Sequence, residues 1–269
     1  MFAPLLVAFL MSTHQAAGTG DCGALDIPTS SREERLTALR ACAAATAESP
    51  LDHLINRTGK LMAVDQRAEG YGDLLASWDQ AELAKPEVAQ RLVKLMKSPE
   101  TAASARTVAL RALAAIPADR RPDGTPPIRL LEVEIAAVPS GMAYDKKEFT
   151  VAAGTLVHLT LKNPDALEHN LLICSPGSLA EMGTAGDRMG QTPDGKLKEF
   201  VPDSPKVLVV MGLVAPGKSK SMWFIAPEKP GTYPYVCTYP SHWRTMNGKM
   251  KVTAPTSATS GSDTATSQK

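Results

Sequence analysis

A chain of 269 residues with a formal net charge of +1 has room for two domains of about 100–130 residues each. Its near-balanced charge argues against a nucleic-acid partner and offers no long-range steering. Five histidines and four cysteines make any search for a metal site short.

Residues 1–18 open with the apolar run Met1-Phe-Ala-Pro-Leu-Leu-Val-Ala-Phe-Leu-Met11 and close with Ala16-Ala17-Gly18. That is signal-peptide length and too short for a membrane span. A cleaved export signal is expected, although no Lys or Arg precedes the apolar run; the chain is then periplasmic or secreted. Asp21 directly before Cys22 does not fit a lipid-attachment site.

Residues 19–116 are rich in Ala and Leu and predict an α-helical domain. Ser31-Arg-Glu-Glu34 is a capping box, with Leu36, Leu39 and Ala43 following at helical spacing. Ser49-Pro50 and Ser98-Pro99-Glu100 each place an N-cap before a Pro at the first helical position, and Pro86 opens another helix. Ala38–Ala44 and Ala109–Ala115 nearly repeat, which shared Ala-rich composition explains. The region has no haem-attachment box, phosphate loop or His/Glu cluster. It reads as an interaction or spacer domain, and Cys22 and Cys42, flanking its start, are able to pair in an exported chain. Residues 117–127 form a polar, Pro-rich linker, semi-extended and separating two modules. The tail, residues 255–269, is Ser/Thr-rich and expected to be disordered.

Between linker and tail lies a β-patterned domain, residues 128–254. In Thr155-Leu-Val-His-Leu-Thr-Leu-Lys162 the apolar Val157, Leu159 and Leu161 alternate with His158, Thr160 and Lys162, which puts His158 on the polar face of a strand. His14 falls in the apolar leader and His53 on a helix. His169 stands apart: after a turn marked by Asn163-Pro164, the pair His169-Asn170 opens a new apolar strand. Cys174, two residues beyond Leu172, reads as a small buried hydrophobe.

Near the end comes Cys237-Thr-Tyr-Pro-Ser-His242-Trp-Arg-Thr-Met246, a Cys-x4-His-x3-Met run. Thiolate, imidazole and thioether together favour copper over harder cations, and a trigonal His2Cys set with a weak axial Met is the ligand set of a blue-copper centre. The loop lacks one His, and His169 is the candidate to supply it. Metal ligands are then His169, Cys237, His242 and Met246, holding one type-1 copper per chain. Met250 is the rival axial donor, though its alternation with Lys249 and Lys251 reads as core.

With these motifs in view, residues 128–253 resemble an azurin- or auracyanin-type cupredoxin. Glu168-His169-Asn170 matches the first ligand and its Asn neighbour. Leu179–Gly190 falls where azurins carry a helical flap, Val201-Pro-Asp-Ser leads into the strand Lys206–Val210, and Met246–Val252 closes the domain. The resemblance implies a fold of a small all-α N-terminal domain plus a Greek-key β-sandwich with a helical flap. It further implies that Asn170 ties the His169 strand to the Cys237 loop with Thr238 as partner. The Glu168 carbonyl is placed opposite Met246. Protein redox partners are expected to dock near His242 on Met142, Leu167, Met189, Tyr239 and Pro240, with Trp243 a further candidate.

No Cys-x3-Cys, His-x-His or His-Cys-His occurs, which argues against binuclear or trinuclear copper and against an enzyme. The expected function is single-electron transfer through Cu(I)/Cu(II), as a free carrier or as a relay inside a larger complex. The alternative is a copper delivery or sensing module whose helical domain contacts a client.

Overall fold

The computed structural model describes residues 23–27, 30–255 and 265–268. The expected export signal, residues 1–18, lies outside them, as does Cys22. Among the described residues no helix is long and apolar enough to cross a membrane.

The N-terminal part is helical: α1 (Gly23–Asp26), α2 (Arg32–Ala45), α3 (Pro50–Thr58), α4 (Arg67–Ala76), α5 (Gln80–Leu83), α6 (Pro86–Lys97) and α7 (Ala103–Ala115). Local chemistry sets several starts. Ser31 caps α2, its Oγ accepting from the Glu34 N–H (3.2 Å) while its own N–H donates to the Glu34 carboxylate (2.7 Å). Ser49 caps α3 with Pro50 at its first position, and Pro86 opens α6 as expected. The third cap does not form. Ser98 terminates α6, Pro99 sits in a turn closed by Thr101 N–H to Ser98 O (3.1 Å), and α7 starts at Ala103.

Two sheets follow. Strands β1 (Leu130–Ala136), β3 (Leu156–Asn163), β6 (Lys218–Ile225) and β9 (Ala265–Gln268) form one in the order β6-β3-β1-β9. Strands β2 (Glu148–Ala152), β4 (His169–Cys174), β5 (Val207–Val214), β7 (Gly231–Val236) and β8 (Asn247–Thr253) form the other in the order β2-β8-β7-β4-β5. Their facing sides interdigitate around Val133, Ile135, Val157, Leu159, Leu161, Ile173 and Tyr235. Between β4 and β5 runs α8 (Leu179–Met189), the expected flap. The chain is therefore a helical module plus a β-sandwich with an inserted helix.

Two expectations change. Residues 265–268 of the expected disordered tail form β9, parallel to β1. An unpaired strand edge templates such pairing even for small residues. Nor does the linker hold the modules apart. Arg121 folds back onto the end of α7, donating to the Leu113 and Ile116 carbonyls (3.1 and 2.9 Å), and the helical core continues into the sandwich through Ile128 and Leu156. At the seam the Arg111 guanidinium lies over the Trp223 ring, 4.8 Å from its centroid, and His158 stacks on that ring at 4.2 Å. Glu69 accepts the Trp223 N–H (2.8 Å), while Arg111 pairs with Glu69 (3.3 Å) and Asp73 (2.7 Å). His158 thus occupies the polar face its alternation predicts, but that face is covered.

Candidate metal centre

His169 is the first residue of β4, fixed there by the turn before it. Asn163, almost fully buried, donates to the Leu167 and Val214 carbonyls (2.7 Å each) and ties that turn to the end of β5. Cys237 follows β7 directly. Its N–H bonds the Met246 carbonyl (3.0 Å), the Met246 N–H bonds the His242 carbonyl (2.9 Å), and the His242 N–H bonds the Tyr239 carbonyl (3.0 Å). These bonds wind residues 237–246 into a closed loop that turns Cys237, His242 and Met246 into the interior.

The result is convergence. The Nδ1 atoms of His169 and His242 are 3.2 Å apart, and Cys237 Sγ lies 3.9 Å from the first and 3.6 Å from the second. All three residues are buried, and among the described residues theirs is the only cluster of His, Cys or carboxylate groups so arranged. Nitrogen and sulfur ligands bonded at about 2.0–2.3 Å and spread around one ion lie about 3.2–3.9 Å apart, so the separations fit a single metal. The soft thiolate with two imidazoles fits copper better than a hard cation.

The protonation states fit as well. Burial is the main cause pulling the His242 imidazole down to about 4, with His169 adding to it, so the lone-pair form prevails at neutral pH. Burial pushes the Cys237 thiol up to about 12, against backbone hydrogen bonds from Asn170 and Tyr239 that favour the thiolate. Those donors only partly offset burial, and a bound cation is what completes deprotonation. On its other edge His169 Nε2 meets Asp165 Oδ2 at 2.9 Å, both side chains buried.

Asn170 behaves as the resemblance implies. Its Oδ1 accepts the Thr238 N–H (2.8 Å), and its Nδ2 donates to Thr238 Oγ1 (2.9 Å) and to the Glu199 carbonyl (2.8 Å). Each is a buried polar group satisfied within the chain, and together they lock the Cys237 loop to β4. The flap adds a second clamp. A methyl group at Gly186 would overlap the Thr238 carbonyl, so only glycine allows this approach. Asp187 accepts from the Ser241 N–H (2.6 Å) and Trp243 Nε1 (2.8 Å), holding Ser241 in a left-handed conformation (φ 72°) directly before His242.

Met246 and Met250 are both wholly buried in the core that holds Cys237, but only Met246 belongs to the closed loop. Cys174 is free and buried between β4, β5 and the flap, as its alternation predicts, and burial raises its thiol to about 12. Cys42 is disulfide-bonded. Of the expected docking residues, Met142 and Leu167 are each 46% exposed, and Tyr239 stacks on the His242 ring at 4.7 Å. Trp243 does not belong with them. It packs against Gly183 under the flap and is anchored there by Asp187. Asp165 and Asp187 were not singled out as site residues from the sequence, because each reads locally as an ordinary turn or helix carboxylate.

A model of copper binding proteins of the plastocyanin/azurin family matches residues 131–253. Auracyanin-A of Chloroflexus aurantiacus is 30% identical over 122 residues, 45% of this chain and 73% of that protein. Auracyanin-B of the same organism is 32% identical over 124 residues, 45% of this chain and 52% of that one, so the chain spans about half the length of that relative. Among solved structures, a reduced auracyanin from Roseiflexus castenholzii is 34% identical, with 45% of this chain and 96% of that chain covered and a TM-score of 0.40. The helical module lies outside the family match.

Proposed function

Since residues 131–253 make this chain a member of the plastocyanin/azurin family of copper-binding proteins, we propose that it carries single electrons between protein partners through one type-1 copper. The observation that carries this reading is the buried convergence of His169 Nδ1, His242 Nδ1 and Cys237 Sγ. In this reading Met246 is the weak axial donor.

Bound copper would supply a one-electron Cu(II)/Cu(I) couple. The chain supplies rigidity. Asn170 and the flap hold the Cys237 loop, so the donors keep their positions whichever charge they face, and little reorganisation accompanies each transfer. Three strong donors and a thioether leave no position for substrate, which supports a carrier over an enzyme. In this reading a short-lived redox partner docks beside His242 on the apolar side chains of Met142, Leu167, Tyr239 and Pro240. The Cys42 disulfide supports an exported, periplasmic or secreted chain.

Electron exchange between two copies of the protein tests this without an identified partner. The double variant Met142→Lys with Leu167→Lys should slow self-exchange, read from NMR line broadening in mixed redox states, at least tenfold with an unaltered visible spectrum. An unchanged rate would place electron entry elsewhere. A chain that instead hands its copper to a metal-free acceptor protein, without redox cycling, would favour the delivery or sensing alternative.

A further inference from the structure

Resting on the copper reading above, we propose that Asp165 is a positioning residue that sets the electronic character of His169 and thereby lowers the reduction potential of the site. The Asp165 carboxylate is 6% exposed, the His169 side chain is fully buried, and Oδ2 stands 2.9 Å from Nε2. A proton on Nε2 donated to that oxygen leaves Nδ1 as the lone pair, and Nδ1 is the nitrogen that faces Cys237 and His242. The tautomer that binds metal is thus fixed before any metal arrives.

The carboxylate is itself held on every side. Oδ1 accepts the N–H groups of Ser140 (3.0 Å) and Ala166 (2.7 Å), and the Asp165 N–H donates to Asn163 Oδ1 (3.1 Å). Ser140 reaches this position only in a left-handed conformation (φ 56°), unusual for a residue with a side chain. A plain turn does not require a strained neighbour aimed at its carboxylate. The full negative charge bonded to the imidazole makes it a stronger electron donor. At this short range that charge also favours the metal state with the larger positive charge. Both effects stabilise Cu(II) over Cu(I). His242, whose ring packs on Tyr239, differs in its surroundings, so the two imidazoles are electronically unequal.

The test is a redox titration of the full chain, wild type against Asp165→Asn, with visible and EPR spectra of each. Asparagine keeps the shape and a hydrogen-bonding oxygen but not the charge. The expected result is a retained blue spectrum and a shift towards Cu(I) of at least tenfold, 59 mV for a one-electron couple. An unmoved potential with an intact spectrum would overturn the proposal and leave Asp165 a spacer. If Asp165→Asn fails to fold or to hold copper, the wild-type Cu(I) protein decides by NMR. A far-downfield, slowly exchanging His169 Nε2 proton is expected, and a solvent-like, rapidly exchanging one overturns the proposal. A wild-type chain that takes up no blue copper is a different failure, that of the functional reading itself.

Discussion

Where the helical module meets the sheet β6-β3-β1, buried charge is balanced inside the chain: Arg111 lies between Glu69 and Asp73 and over the ring of Trp223. The loop between β7 and β8 is built the opposite way. Cys237, His169 and His242 point three metal-ligating atoms at one buried point, with no cationic side chain among them. Both places are rich in polar and ionisable groups, and both perturb pKa values, so perturbation alone does not mark a site. What separates them is whether the groups satisfy one another. The seam's charges close on one another; the loop's donors converge where one cation would complete them.

Substitutions at the two places should therefore fail differently. The largest effect is expected from Asn170→Ala, which strips three hydrogen bonds and leaves the buried Thr238 N–H and the half-buried Glu199 carbonyl without it. A loss of about 3 kcal/mol in urea denaturation is expected, together with weakened copper binding. Trp223→Ala should cost about 2 kcal/mol by removing a half-buried ring and its Arg111 contact, yet leave the copper spectrum unchanged. A spectrum that moved with Trp223 would erase the distinction between the two regions.

Smaller still is Met246→Leu, expected to keep copper bound and raise the potential by about a tenfold shift towards Cu(I), 59 mV, because a weak donor to Cu(II) is lost. No change would transfer the axial role to Met250 or remove it. Glu69→Gln should have the least effect, visible only in pH dependence. Partial burial raises the Glu69 carboxyl above its ordinary 4.5 against the opposing pull of Arg111, so just above 4.5 the folded state holds more proton than the unfolded chain. Its contribution is fully present below 4.5 and lost as pH rises through the folded value. Glutamine cannot titrate, and denaturation curves stepped from pH 4 to 7 should show that slope flattened.

The convergence of His169, Cys237 and His242 was legible in the sequence because their residue types are scarce and two of the three sit in one short loop. His169 followed from its place at the head of an apolar strand. Asp165 was not legible: after Asn163-Pro164 an aspartate reads as turn chemistry, and only the folded turn brings it under the imidazole. The docking of the modules was equally hidden, since Arg111 in an Ala-rich helix looks like any solvated charge until Trp223 covers it. Ser98 misled because cap chemistry reads the same at a helix end as at a start, and β9 was missed because small Ser/Thr residues carry no packing pattern.

The most direct test adds Cu(II) to the purified full chain and records visible and EPR spectra beside those of Cys237→Ser. The account predicts an intense blue charge-transfer band with narrow copper hyperfine splitting, both absent from a Cys237→Ser variant that keeps its fold. A pale spectrum with ordinary tetragonal copper parameters in the unaltered chain would contradict it, because Cys237 would then not be a ligand.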